Sequence, residues 1–438
     1  MISRFDRRKM LKGAAGATAG AALLKASPTY ANVNLIQGGP TEVLYWGSYS
    51  GNLGEAELAL VNKFNDEHTG VQINYQFQGS YEETAQKLTA AIQANQAPDI
   101  CLLSDVWWFR FYLANAIAPL DDLASASGLD LTDYVDSLIE EGNRDGSHYW
   151  IPFARSTPLF YYNKEAFAEV GLTEAPTTWD ELVAVAPDLI QMDGSTLARS
   201  AFAHPDGASY VAWLFQGVVW QYGGEYSDDD FNIKINEAGA VAAGEFYRSS
   251  VADGWASVPV DPENDFAQGF TTSILASTGS LRGITDTATI DFGTAFVPEG
   301  PEGPGVCTGG AGLALLNSSE KQEAAFEVVS WLTSPENTAW WSQNTGYMPV
   351  RKSAVESEEM QAFFADNPNF KVAVDQLAVT KAQDAARVFI PGGDQIIGGG
   401  LEEILINDGE VQAAFDDVAA ELTEEAGPVL EALEERRG

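Results

Sequence analysis

The stretch that decides the fold lies in the last third of the chain and begins GGAGLALL at residues 309–316. Two helices follow it, and the second opens on SPEN at residues 334–337 and ends before TGYMPV at residues 345–350. Adjacent glycines at the start of an apolar strand indicate that a ligand or a crossing segment approaches the backbone closely. From the glycines alone, a tight crossover turn is the simpler explanation. Ser319 and Gln322 have the spacing of a capping box, which predicts a helix start there.

The amino-terminal part of the chain has the pattern of a parallel sheet. Apolar runs predict strands at residues 43–46, 71–77 and 100–105, separated by amphipathic helices at 55–66 and from residue 79. The first helix is expected to bury Leu58, Val61 and Phe64 on one face. Strands and helices in alternation favour right-handed crossovers, and ligands in such sheets bind at the carboxyl ends of the strands.

Length and composition predict a folded protein of two lobes. The chain has 438 residues, a length that exceeds what one hydrophobic core usually serves. Of these residues 45% are hydrophobic and 11% aromatic, which is typical of a folded protein. The formal net charge is −39. Such acidity argues against a surface that grips nucleic acid or anionic lipid.

The first 31 residues are interpreted as a signal peptide for twin-arginine export. Arg7 and Arg8 precede a mildly apolar Gly/Ala run, and small residues at positions 29–31 suit a cleavage site. The run is too short and too weak for a spanning helix, and no cysteine follows it for a lipid anchor. We therefore expect a soluble protein of the cell envelope whose mature chain begins near Asn32.

The sequence predicts neither a catalytic centre nor a metal site. It lacks a phosphate-binding loop, a nucleophile elbow and the H-E-x-x-H motif, and its three histidines are scattered. Cys101 and Cys307 each lie in or beside an apolar strand, and we expect two buried free thiols. If the strand after Gly309 runs antiparallel beside the third strand, with Asp105 near Gly310, the two cysteines are too far apart for a disulfide.

The order of these motifs, together with PTTWDEL at residues 176–182, resembles the group 1 extracellular solute-binding proteins of ABC importers. Within that family the sequence is most similar to members that bind sn-glycerol 3-phosphate. The resemblance implies the type II periplasmic binding protein fold, with two α/β lobes, a hinge of three segments and a ligand cleft between them. The implied amino-terminal lobe is 32–155 with 307–345, and the carboxy-terminal lobe is 156–306 with 346–438.

The resemblance also implies nine ligand-binding residues, which are Tyr81, Asp105, Ser156, Tyr210, Trp213, Ser277, Gly310, Tyr347 and Arg387. Arg387 would grip a phosphate, because a guanidinium can donate two parallel hydrogen bonds. Neutral donors from two serines and the Gly310 backbone would surround the same anion, and the two tyrosines Tyr81 and Tyr347 would add a donor and a wall. The chain departs from the family in two places: Asp105 stands where a glutamate receives the glycerol hydroxyls, and Tyr210 replaces one of two tryptophans.

The function implied is that of a periplasmic binding protein for sn-glycerol 3-phosphate or a glycerophosphodiester. The alternative on the same scaffold is an oligosaccharide-binding protein, whose site would use aromatic stacking and carboxylates without an arginine aimed at an anion. The expected partners are the permease subunits of an ABC transporter, with a cytoplasmic ATPase behind them. No cofactor, no metal, no nucleic acid and no enzymatic activity are expected, and the protein is expected to be a monomer.

Overall fold

The predicted parallel strands form one edge of a five-stranded sheet in the computed structural model, which describes residues 39–207 and 210–437. The interpreted signal peptide lies outside the described residues. The strands are β1 Thr41–Gly47, β2 Val71–Phe77, β3 Ile100–Ser104, β4 Asn143–Arg144, β5 Ser147–His148, β6 Ile151–Ser156, β7 Pro158–Asn163, β8 Gln191–Asp193, β9 Thr196–Arg199, β10 Phe202–Ala203, β11 Ala256–Ser257, β12 Ser273–Ser277, β13 Phe292–Ala295, β14 Val306–Cys307, β15 Gly309–Leu315 and β16 Thr380–Lys381.

The α-helices surround the sheets and connect their strands. They are α1 Gly51–Glu67, α2 Tyr81–Gln93, α3 Trp108–Leu113, α4 Asp121–Ser127, α5 Asp136–Ile139, α6 Lys164–Glu169, α7 Trp179–Leu189, α8 Val211–Gln221, α9 Ala238–Ala252, α10 Pro262–Ala267, α11 Leu281–Thr287, α12 Gln322–Leu332, α13 Pro335–Thr345, α14 Lys352–Val355, α15 Glu358–Asp366, α16 Pro368–Gln376, α17 Ala385–Val388, α18 Gly393–Leu405 and α19 Val411–Arg437. Among the residues that the structure describes, no helix is both long enough and apolar enough to cross a bilayer.

The glycine-rich stretch is the fourth strand of the first sheet, whose order is β2-β1-β3-β15-β6. The pairs β1–β2 and β1–β3 are parallel, as the alternating pattern predicts, whereas β15 runs antiparallel to both of its neighbours. A strand from late in the sequence therefore lies between two early ones. This insertion ties the last third of the chain into the first lobe.

The second sheet has the order β11-β10-β12-β7-β13 and forms the other lobe. Only Thr157 separates β6 in the first sheet from β7 in the second, so the chain crosses between the lobes there. It returns between β13 and β15, and Met348 bridges to Arg155 beside the first crossing. Two α/β lobes connected by adjacent segments are the type II binding-protein fold.

Two local predictions are wrong. Leu58 is 44% exposed, and α1 buries Leu60 in its place beside Val61 and Phe64. The Ser319 hydroxyl accepts a hydrogen bond from Lys321 N and donates to Asp99 Oδ1 at 2.7 Å, so it does not cap α12.

The next helix, α13, begins at the SPEN motif as expected, and the Ser334 side chain caps it by accepting a hydrogen bond from Asn337 N. The cysteine prediction is also confirmed. Asp105 N donates to Gly310 O at 2.9 Å, and this register sets Cys101 opposite Ala314, seven positions along the strand from Cys307. Both thiols are buried and free.

Candidate functional site

A cavity of about 550 Å³ lies between the lobes and is lined by residues of both. The structure brings all nine predicted site residues to its wall: Tyr81, Asp105, Ser156, Tyr210, Trp213, Ser277, Gly310, Tyr347 and Arg387. The first lobe contributes the end of β3 and the start of α2, where the carboxyl ends of parallel strands were expected to gather ligand contacts. The second lobe contributes the start of α8 and the end of β12.

The two glycines that open β15 are required by close packing. A Cβ atom on Gly309 would lie 2.5 Å from Nε1 of Trp213, whose indole donates to Thr308 O at 3.1 Å. Gly310 has φ +106°, and a Cβ atom there would lie 2.2 Å from the carbonyl oxygen of Ala154. Gly310 therefore allows the neighbouring strand β6 to approach closely. Gly309 leaves room for the indole of Trp213 at the cavity wall.

Arg387 is the centre of a buried polar network. Its side chain is 5% exposed, and Nε donates to Asp394 Oδ1 at 2.6 Å. Nη1 donates to Gln383 Oε1 and forms an ion pair with Asp105 Oδ2 at 3.7 Å. The same oxygen of Asp105 accepts a hydrogen bond from Gln383 Nε2 at 2.6 Å. Arg387 is therefore not part of a surface ion pair, and its guanidinium is held in place by Asp394 and Gln383.

The carboxylates around Arg387 keep it charged. Burial lowers the pKa of Arg387, but Asp394 and Asp105, with smaller effects from Cys307 and Tyr226, together raise it more, so the net shift is upward. Burial raises the pKa of Asp394, and the arginine opposes that shift. Asp394 lies in the first turn of α18, where the helix dipole favours its negative form.

Serine hydroxyls supply neutral donors on the other walls. Ser277 accepts a hydrogen bond from Gly279 N at 3.0 Å, which leaves its own hydroxyl proton free to donate to a ligand. Ser156 ends β6 opposite Gly309 and is 3% exposed. Ser104, which also lines the cavity, has a buried Oγ with no hydrogen-bond partner among the described residues. A buried hydroxyl without a partner is costly, so a ligand that bonds to it would recover that energy.

Tyr81 and Tyr347 form one side of the cavity, and Tyr49 contacts both of them. The hydroxyls of Tyr49 and Tyr81 are 2.6 Å apart, and the ring centroids of Tyr49 and Tyr347 are 6.1 Å apart. Burial is the main cause that raises the pKa of Tyr81 and of Tyr347, so both are neutral phenols at physiological pH. They can donate hydrogen bonds to an anion.

Tyr210 and Trp213 form a second aromatic wall. Their ring centroids are 6.1 Å apart in an edge-to-face arrangement, and the Tyr210 hydroxyl donates to Glu263. Glu263 also accepts from Ser280 Oγ at 2.7 Å. Tyr210, which replaces one of the two tryptophans of the family, is thus held in place by the carboxylate of Glu263.

Arg155, the neighbour of Ser156, does not line the cavity. Its side chain is fully buried, donates to Glu141 and lies over the ring of Trp150. Thr308 donates to the other carboxylate oxygen of Glu141 at 2.5 Å. Arg155 therefore neither faces the cavity as a second cation nor lies at the surface.

Sequence reasoning missed several residues of the cavity wall. Ser104 directly precedes Asp105 at the end of β3, and the rule on strand ends could have found it. Asp394 and Ser280 also line the cavity, while Gln383 lies behind Asp105. No local pattern marks these three, because folding alone brings them to the site.

Two α/β lobes with a cavity between them are the architecture of a protein that closes around a solute. A family model described as bacterial extracellular solute-binding protein matches residues 48–339, and the chain belongs to this family. The sn-glycerol-3-phosphate-binding periplasmic protein UgpB of Pectobacterium atrosepticum is 27% identical over 362 residues, covering 77% of this chain and 79% of that protein.

Solved structures agree with this assignment. UgpB from Mycobacterium tuberculosis, crystallised in complex with glycerophosphocholine, is 42% identical with a TM-score of 0.84, covering 90% of this chain and 100% of that one. The GacH receptor of Streptomyces glaucescens, solved both unliganded and with acarbose, has a TM-score of 0.77 at 19% identity over 88% of this chain and 98% of that one. At 19% identity, the similarity to the GacH receptor shows the fold alone.

Proposed function

We propose that the protein binds sn-glycerol 3-phosphate or a glycerophosphodiester between its lobes and delivers it to the permease of an ABC importer. The observation that carries this proposal is a single buried arginine, Arg387, on the wall of a cavity whose other donors are mainly neutral. An arginine in this setting suits a phosphate, because charge-assisted hydrogen bonds are the strongest available to an anion. The kinship with the two UgpB proteins supports the same ligand class.

Each part of the ligand has a partner in this proposal. Arg387 uses Nε and Nη1 within the protein, which leaves Nη2 to donate to a phosphate oxygen. Ser156 and Ser277 donate to the same phosphate. Asp105 accepts from the glycerol hydroxyls, and a cationic head group rests against Trp213 with about 0.5–2 kcal/mol of cation–π attraction.

The lobes hinge about the segments near residues 155, 306 and 346, and closure buries the ligand. The transporter then recognises the closed form. The protein acts by binding without turnover, as a monomer in the periplasm. Its partners are the permease subunits, with the cytoplasmic ATPase behind them.

Calorimetry with glycerophosphocholine, sn-glycerol 3-phosphate and maltose tests the proposal. Asp105 is one methylene shorter than glutamate and Tyr210 is smaller than tryptophan, so we expect the diester to bind at least as well as the monoester. Stabilisation in a parallel thermal-shift assay should be about 2.7 kcal/mol at 100 times Kd. Maltose binding without phosphate-ester binding would favour the oligosaccharide alternative. Release of choline or glycerol from the diester would show that the protein is an enzyme.

Export is tested separately, because the signal segment lies outside the described residues. Replacing Arg7 and Arg8 with lysine should leave the precursor in the cytoplasm, whereas the unchanged protein should mature near Asn32. Normal export of the double variant would contradict the twin-arginine interpretation.

A further inference from the structure

The charges around the cavity do not favour an anion as strongly as the presence of an arginine suggests. Among the described residues that line it, Arg387 is the only cation, whereas Glu82, Asp105 and Asp394 are acidic. Glu263 adds a further carboxylate directly behind Tyr210. Its pKa is raised by burial, and hydrogen bonds from Tyr210 and Ser280 oppose that shift.

Asp394 and Asp105 together compensate the one cation. Asp394 is bonded to Nε of Arg387 at 2.6 Å, and Asp105 lies 3.7 Å from Nη1. The nearest other cation, Arg155, is paired with Glu141. No uncompensated positive charge therefore faces the ligand from the described residues of this region.

We propose that Asp394 is a specificity-determining residue, which makes the cavity select a ligand with one negative charge at the phosphate over a ligand with two. This inference rests on the proposed function and refines its ligand class. A phosphodiester carries one negative charge at neutral pH, whereas a phosphomonoester, with a second pKa near 6, carries between one and two. In a water-excluded cavity each uncompensated charge is repelled by Asp394 and Asp105 with little screening.

The donors in the cavity are adequate for a single charge. Ser156, Ser277 and Ser104 are neutral hydroxyls, and Tyr81 and Tyr347 are neutral phenols. Hydrogen bonds from such groups, with the remaining N–H donors of Arg387, can satisfy a diffuse monoanion. A second full charge would need a second cation, which the lining described above does not contain.

The test separates ligand charge from ligand size. Glycerol 3-sulfate has nearly the shape of sn-glycerol 3-phosphate but carries one negative charge, so calorimetry with both gives a ratio of dissociation constants at equal size. We expect the wild-type protein to bind the sulfate ester more tightly. In Asp394→Asn the ratio of Kd for the phosphate ester to Kd for the sulfate ester should fall by about tenfold, the change that corresponds to 1.4 kcal/mol. The ratio is the readout because a general loss from a misplaced Arg387 affects both ligands.

Matched variants identify the cause of any change. Asp394→Glu keeps the charge and should keep the wild-type ratio, as should Glu245→Gln, which removes an exposed and therefore screened carboxylate outside the cavity. Asp394→Ser is measured alongside as a second neutral variant, in case the asparagine disturbs the fold. A ratio that stays unchanged in both neutral variants, while glycerophosphocholine still binds, would overturn this inference and leave the proposed function standing. Failure of the wild-type protein to bind any of the three esters would overturn both.

Discussion

Replacing Arg387 with alanine should nearly abolish binding of glycerophosphocholine. The guanidinium lies 3.7 Å from Asp105, where one pair of unit charges interacts by about 4–5 kcal/mol at an effective dielectric constant of about 20. A phosphate at hydrogen-bond distance interacts at least as strongly before desolvation is counted. Truncating one partner of a buried charge pair costs about 2–5 kcal/mol, so Kd should rise roughly 30- to 4,000-fold.

The same substitution should destabilise the ligand-free protein in a pH-dependent way. Without Arg387, the carboxylates of Asp105 and Asp394 remain buried without their cation, which typically costs about 3–5 kcal/mol. Burial already raises the pKa of Asp394, and loss of the arginine, which opposes that shift, raises it further. A folded state that contains an acid of raised pKa gains stability as pH falls, so the deficit should shrink as pH is lowered from neutral.

Titration calorimetry and urea unfolding measure the two effects. Arg248→Ala is the control, because Arg248 pairs with Asp408 and Glu245 at the surface, and its loss should leave Kd unchanged. A Kd for Arg387→Ala within about threefold of the wild-type value, a difference of less than 1 kcal/mol, would refute the assignment of this arginine to the phosphate.

Three further predictions concern the rest of the fold. Burial raises the pKa of Glu57 to about 7 from 4.5, so wild-type stability should fall by about 3 kcal/mol as pH rises through that window, and urea unfolding of Glu57→Gln should show a flatter profile. Gly309→Ala places a Cβ atom 2.5 Å from Nε1 of Trp213, so the indole should move and calorimetry should show binding weakened by about tenfold. Thiol titration of unfolded, unreduced protein should give two thiols, because Cys101 and Cys307 are free.

The sequence predicts the framework well because its signals are local. Apolar runs mark β1, β2 and β3, whereas the antiparallel position of β15 beside β3 was an assumption, which the structure confirms. The separation of the cysteines followed from that assumption, with Asp105 near Gly310. Such features depend on neighbours in the sequence and on one assumption about strand direction.

The errors arise where distant contacts override local preference. Leu58 and Leu60 are both apolar, and only the packing of α1 on its neighbours decides that Leu60 faces inward. The pattern at Ser319 fits a capping box, but Asp99, 220 residues away, takes the hydroxyl as a donor. Neither the buried leucine nor the partner of Ser319 can be predicted from the sequence of one helix.

The partners of Arg387 show the same limit at the site. A family resemblance identified the arginine, yet Asp394 has no motif, and the contact between Asp105 and the arginine joins residues that are far apart in the sequence. The charge balance of a binding site is a property of the folded chain. The number of acidic residues does not predict this balance. With 63 acidic residues in the chain, the sequence does not show which of them will lie beside a given arginine.

This balance gives a reason for the proposed anion site to keep carboxylates next to its cation. Asp394 and Gln383 fix the guanidinium before the ligand arrives, so the entropy of ordering a long side chain is lost during folding and not during binding. The disadvantage is that the fixing carboxylate cancels part of the attraction. A cavity built in this way gains affinity from preorganised geometry more than from net charge, and it should therefore distinguish ligands by how much charge they bring.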